Sequence, residues 1–179
     1  MEHFDILDEK GNKTGEVKTR DEAHAKGLWH KTVHAWILND QNQLLIQKRA
    51  ASKKTNPNKW TVSMAGHIKC GDDSITTCIK EMREELGLKL IESDFELLFN
   101  ITQNADLHNK KYLNNEHQGV YLIRQTIDIS KLKLQKEEVA DIRFISINDL
   151  KQKVREKDPD FVIHAKKYKK LFEHLENKK

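Results

Sequence analysis

Glu81, Glu84 and Glu85 lie within the run KEMREEL, and three carboxylates so close together are either separately hydrated or shared by a cation. On a helix each residue advances about 100°. Ile75, Cys78, Ile79, Met82 and Leu86 then form an apolar stripe, while the three glutamates cluster well around the cylinder from it. Like charges three and four apart repel by a few tenths of a kcal/mol per pair, and a divalent cation relieves that repulsion. Hard carboxylate oxygens suit Mg²⁺ or Mn²⁺. Taken alone, the cluster reads first as a solvated acidic face, so its setting has to decide.

The elements that must position these carboxylates are legible on both sides. Asp72 and Asp73 stand where side chains cap the free N–H groups of a helix and suit its dipole. Gly87 followed by Leu88 supplies a left-handed stop with a hydrophobic latch. Upstream, Gly66 lets backbone approach the helix or a ligand with no side chain between them.

This frame resembles the Nudix box of the Nudix hydrolases. The intervals linking Gly66, Asp72, Lys80, Glu81, Met82, Glu84, Glu85, Gly87 and Leu88 are those of the box. Two positions depart, each conserving charge: Asp72 replaces the usual glutamate and Lys80 the usual arginine. In the family this pair braces the loop against the helix, and lysine cannot make arginine's planar two-pronged contact. The resemblance implies an αβα sandwich with a central mixed sheet, in the α/β (α+β) class, and metal-dependent cleavage of a diphosphate bond.

A wider likeness covers most of the chain. DILDEKGNKTG, LLIQKRA, PNKWTVSMAGH and NNEHQGVYL are similar to the Nudix branch containing type I isopentenyl diphosphate isomerases. That likeness implies metal ligation by His24, His30, His67 and Glu116, although the interval from His24 to His30 is one residue shorter than the isomerase pattern. Asn114 stands where a second glutamate is expected, and Ala65 where the isomerase keeps a cysteine. An alanine methyl transfers no proton, so this replacement argues against allylic isomerisation on chemical grounds. Each histidine also has a plain reading as a hydrogen-bonded core or surface residue.

Other residues complete the candidate site. Glu116 and Glu138, with Glu137 beside it, are candidate bases alongside the box glutamates. Lys48, Arg49 and Lys59 are placed to meet phosphate oxygens or to form a solvated rim, and Trp60 and Trp36 to stack on a ring or fill a core.

With 179 residues the chain suffices for one domain, burying about 70% of its unfolded surface. Hydrophobic residues reach 37% and charged residues 34%. No apolar run approaches the roughly 20 residues of a membrane span, and the acidic start MEHFDILDEKG is unlike a signal peptide. A cytoplasmic protein is expected. The net charge is only +4, its basic residues scattered, so the expected partner is a small-molecule diphosphate, not a polymeric nucleic acid or a membrane. A homodimer is the base-rate expectation for assembly. Cys70 and Cys78 are too few for a disulfide framework or a zinc site.

A single domain is read over residues 1–179. An N-terminal hairpin turning at Lys10 to Thr14 opens an extension over 1–30, followed by a core over 31–150 and a C-terminal helix over 158–177. Strands are expected at His34 to Leu38, LLIQKR, Phe95 to Ile101, Gly119 to Thr126 and Ile142 to Ile145, with a helix begun at Asn148. Loops Ala51 to Lys59 and Gln103 to Asn115 are expected to choose the substrate. Asp158-Pro159 reads as an N-cap with proline in the first helical position; the lysines 166, 167, 169 and 170 then form a solvated face opposite Phe161, Val162, Ala165, Tyr168, Phe172 and Leu175. The function expected is hydrolysis of a nucleoside diphosphate or a derivative. The alternatives are an isomerase-like enzyme acting on isoprenoid diphosphates and a non-catalytic diphosphate-binding module.

Overall fold

The computed structural model describes residues 1–107 and 112–177. A hairpin of β1 (His3–Leu7) and β2 (Lys13–Thr19) comes first. Its turn is set by Asp8, whose carboxylate accepts from the backbone N–H groups of Lys10 and Asn12. The turn thus ends before Lys13, earlier than expected. A helix absent from the sequence reading follows, α1 (Arg20–Lys26), opened by a capping box in which Thr19 and Glu22 serve each other's backbone.

The central sheet has seven strands: β3 (His30–Leu38), β4 (Gln43–Arg49), β5 (Trp60–Thr61), β6 (Met64–His67), β7 (Glu96–Leu107), β8 (Tyr112–Arg124) and β9 (Val139–Ser146). It is mixed, as expected, with β3 and β8 parallel from His30↔Glu116 to Leu38↔Arg124. The polar run Gln103 to Asn115 does not form one loop. It continues β7 and begins β8, which pair antiparallel; the part of that expectation covering 108–111 lies outside the described residues.

Period-two alternation assigns the two faces of the sheet. Val33, Ala35, Ile37, Met64, Tyr121 and Ile123 pack beneath α2 (Ser74–Leu86), whose buried stripe is Cys78, Met82 and Leu86. Each fully buried side chain of that size contributes about 1.5–3 kcal/mol. Trp36, Leu38, Val120 and Leu122 pack on the other side against α3 (Ile147–Glu156) and α4 (Ala165–Glu176). Helices thus cover both faces, which makes the αβα sandwich.

One topological detail creates the site. Strands β3 and β4 are in register only at Leu38↔Leu44, after which β4 follows β5 and β9 while β3 follows β6 and β8. The sheet splays there, so side chains of both faces border one space.

Several boundaries differ from the sequence reading. Asp73, not Asp72, caps α2, and α3 is capped by Ser146. Gly87 closes α2 in the left-handed conformation, φ 72°, as the stop signal predicts. Asp158-Pro159 forms a turn instead of opening a helix: Trp60 N–H donates to Asp160 O, and Val162 N–H to Trp60 O. That pairing keeps 160–162 extended, so Phe161 and Val162 lie outside α4, which begins at Ala165. Lys167 is also reassigned; it is buried, 4% exposed, while Lys166, Lys169 and Lys170 remain exposed.

Candidate functional site

Where the sheet splays, a cavity of ≈ 260 Å³ opens between α2, the ends of β3, β6 and β8, and the loop after β4. Glu81, Glu84 and Glu85 reach it from α2, Arg49 and Lys53 from the β4 side, and His67 and Glu116 from β6 and β8. The box carboxylates therefore share one space with His67 and Glu116.

Glu84 is exposed, Glu81 half-buried and Glu85 buried. Burial, then the neighbouring Glu81, pushes the Glu85 carboxyl up to about 8. Burial and Glu84 raise Glu81 as well. The only protein donor that the Glu85 carboxylate meets among the described residues is Gln47 Nε2, at 3.1 Å. Three carboxylates held together with so little positive compensation have the chemistry of a divalent-cation site.

Gly66 makes that arrangement possible. A Cβ there would stand 2.9 Å from Glu81 Cγ, closer than non-bonded carbons approach. We expect Gly66→Ala to displace Glu81 and lower kcat about 100-fold, with a melting temperature close to wild type; an unchanged kcat would refute the close-approach role. The loop is braced by Lys80 Nζ, 3.6 Å from Asp72 Oδ2, so the two substituted positions still meet.

The histidines converge more tightly than spacing alone foretells. One ring nitrogen from each of His24, His30 and His67 lies within 4.8 Å of the others. The tautomers are set by backbone: His30 Nδ1–H donates to Leu28 O at 2.9 Å, and His24 Nδ1–H to Leu113 O at 3.2 Å. Their Nε2 lone pairs are thus left free. The Nε2 atoms of His24, His30 and His67 are all buried without a hydrogen-bond partner. Glu116 Oε1 lies 3.9 Å from His67 Nε2. Burial holds all three imidazoles neutral: His24 falls to about 4, and His30 and His67 are lowered too. Three buried, neutral, unpartnered nitrogens beside a carboxylate fit a metal ion and leave polar atoms unsatisfied without one. Phe4 stacks on both His30 and His67, each at 5.0 Å between ring centres, so the N-terminal hairpin walls the cluster.

The NUDIX domain family matches residues 28–165. The chain belongs to the Nudix hydrolases. It is 38% identical over 177 residues to Nudix hydrolase 3 of Arabidopsis thaliana, covering 96% of this chain but 23% of that longer protein. It is 30% identical over 149 residues to an isopentenyl-diphosphate Delta-isomerase of Shigella flexneri serotype 5b, covering 83% of this chain and 79% of the relative. In fold it resembles DR0079 of Deinococcus radiodurans, with a TM-score of 0.70 and 20% identity over 94% of this chain and 96% of that one.

Within this Nudix site some sequence expectations shift. Arg49, Gly66, Glu116 and Glu138 line the cavity, whereas Lys48, Lys59 and Trp60 do not. Trp60 is buried in the core, with the Arg143 guanidinium 4.3 Å from its ring centre and Lys48 Nζ 5.9 Å away. Trp36 is fully buried, a core residue. Glu138 is paired with Lys53, and Glu137 is exposed outside the cavity. Sequence reasoning missed Arg20, Lys53, Gln47, His34 and Gln118, all of which line the space. For Arg20 a signal was available, since the capping box beginning at Thr19 marks the start of the helix that carries both it and His24.

Proposed function

We propose that this Nudix protein hydrolyses a diphosphate bond in a polar organic diphosphate, a nucleoside diphosphate or a nucleoside diphosphate linked to another group. The observation that carries the reading is the convergence of Glu81, Glu84 and Glu85 with Arg20, Arg49 and Lys53 on one cavity. The cations are suited to phosphate oxygens, Arg49 with its guanidinium oriented by Thr55. The glutamates, and separately the histidine cluster with Glu116, are the residues that would hold Mg²⁺ or Mn²⁺. A divalent ion bound there supplies charge neutralisation and a more acidic water. Glu81, which meets no donor among the described residues and whose basicity is raised by burial, is assigned to take the proton of the attacking water.

The lining favours a polar substrate over an isoprenoid one. Ala65 and Val162 are its only aliphatic side chains among the described residues, whereas a prenyl chain needs apolar cover worth about 0.8 kcal/mol per methylene. The assembled histidine cluster is what favours the second reading, an isomerase-like enzyme. Against it, Ala65 borders the cavity without an acidic proton, and neither cysteine replaces it: Cys70 is exposed against Asp5, and Cys78 is buried on the core face of α2.

The test is phosphate release with Mg²⁺ or Mn²⁺ from nucleoside diphosphates, nucleotide sugars, dinucleotides and isopentenyl diphosphate, following double-bond migration in the last. We expect turnover of a nucleotide diphosphate to fall at least 100-fold in Glu84→Gln, roughly 3 kcal/mol of barrier. Migration without phosphate release would overturn the proposal in favour of the isomerase.

A further inference from the structure

Lys167 occupies a position that packing alone would give to an apolar residue. It lies on the inner side of α4 beside Tyr168 and Leu171 and is as buried as they are. Among the described residues its Nζ meets no carboxylate: it donates to His34 Nδ1 at 3.0 Å and to Gln118 Oε1 at 3.3 Å. Burying an amine against two neutral acceptors costs free energy that a methionine would not. Burial pushes its pKa down to about 7, with Glu116 acting in the opposite sense.

What the lysine does is dictate the direction of its two neighbours' hydrogen bonds. An ammonium only donates. His34 Nδ1 must therefore accept and carries no hydrogen. Burial, followed by Lys167, His164 and His67, keeps the His34 imidazole neutral, so its one hydrogen resides on Nε2. His34 lines the cavity, and that Nε2–H has no hydrogen-bond partner among the described residues. On the other side, donation to Gln118 Oε1 turns the amide nitrogen away, toward Glu116 Oε2 at 2.6 Å and Gln103 Oε1 at 3.2 Å.

Gln118 joins this group to Glu116 at the metal end, whereas the His34 donor faces the opposite part of the cavity wall. His34 pairs with Ala65 across β3 and β6; at strand spacing it lies about 13 Å along β3 from His30 and two register positions, about 7 Å, from the level of His67. Thr61, Val162 and His164 also border the cavity. A ligand whose diphosphate lies among the glutamates and cations would extend its organic part toward this wall.

We propose that Lys167 is a positioning residue that fixes His34 as a neutral Nε2–H donor for an acceptor atom, a carbonyl oxygen, hydroxyl or ring nitrogen, on the organic group of the substrate. The identity of that ligand rests on the hydrolase reading above; the state of His34 does not. His34, so held, selects among organic diphosphates through their organic group and not through the diphosphate.

Two measurements on the full chain test this separately. In ¹⁵N-histidine-labelled protein at pH 6, where the lysine is protonated and His34 neutral, two-bond ¹H–¹⁵N correlations should show His34 protonated at Nε2. In Lys167→Met the Nδ1–H form should appear. An Nδ1–H or doubly protonated His34 in the wild type, or an unchanged tautomer in the variant, overturns the proposal. Binding of ADP and of inorganic pyrophosphate, each with Mg²⁺, is then compared. His34→Phe should weaken ADP about tenfold, the range for one hydrogen bond, and leave pyrophosphate unchanged; Lys167→Met should weaken ADP to the same extent. The double variant His34→Gln/Lys167→Met should recover ADP binding, because a glutamine amide offers its N–H without help from the lysine. Equal losses for both ligands, or no recovery, would refute the positioning role. A wild type that ignores ADP but shows the Nε2–H tautomer and its loss in Lys167→Met would instead refute the nucleotide reading.

Discussion

Replacing Glu85 by glutamine is expected to raise the melting temperature of the metal-free protein at pH 7, on the order of 5 °C, while lowering kcat on the order of 10³-fold. Glu85 is 6% exposed, and its carboxyl is raised from an ordinary 4.5 to about 8 by burial and by Glu81. Below pH 4.5 the carboxyl is protonated in both folded and unfolded chains, and its burial involves no charge. As pH climbs toward 8 the unfolded chain releases the proton while the folded chain retains it, so stability declines through that window. Glutamine carries no charge at any pH and keeps an acceptor for Gln47 Nε2, which removes the decline. Function runs the other way, because the residue that destabilises the empty site is one that would hold the cation. Added Mg²⁺ or Mn²⁺ should therefore stabilise wild type more than Glu85→Gln. Thermal melts at pH 5, 7 and 8.5, with and without metal, decide the matter; a metal-free variant melting below wild type at pH 7 would show that Glu85 is compensated in the fold.

That trade explains which features of the site were legible in advance. The α2 carboxylates, Gly66 and the Asp72 to Lys80 brace follow from local spacing, since one helix and its preceding loop set all their relative positions. The histidine cluster was carried by resemblance. Its assembly needs α1, β3 and β6 together, and no periodicity encodes that meeting. Lys48 and Arg49 show the limit of proximity in sequence: adjacent on β4, they face opposite sides of the sheet, so only Arg49 reaches the cavity. Asp158-Pro159 carries a sound helix-start signal that tertiary pairing with Trp60 overrides. Lys167 was hidden most thoroughly. Among neighbouring lysines it reads as one more solvated charge, and only the helix phase set by Tyr168, Leu171 and Leu175 turns it inward.

In the histidine cluster, His30→Ala is expected to abolish one of two separable metal-binding events and leave the other. Cobalt(II) absorption reports nitrogen ligation, so a histidine-site signal should vanish in His30→Ala and persist in Glu84→Gln, with turnover in His30→Ala down about 100-fold. The pH dependence gives a sharper check, because metal binds the neutral imidazole. An ordinary histidine site loses affinity as pH falls through about 6.5. Here His24 is held near 4 and His30 and His67 are lowered by burial, so affinity should hold through pH 6.5 and decline only at lower pH. Without metal the sign applies to folding. The unfolded imidazoles charge below about 6.5 and the buried ones do not, so the metal-free protein loses stability as pH drops below that value and regains it on binding cobalt. Affinity that falls steeply through pH 6.5 would mean that water or a counter-charge reaches these rings, and would leave the unpartnered Nε2 atoms without a metal to explain them.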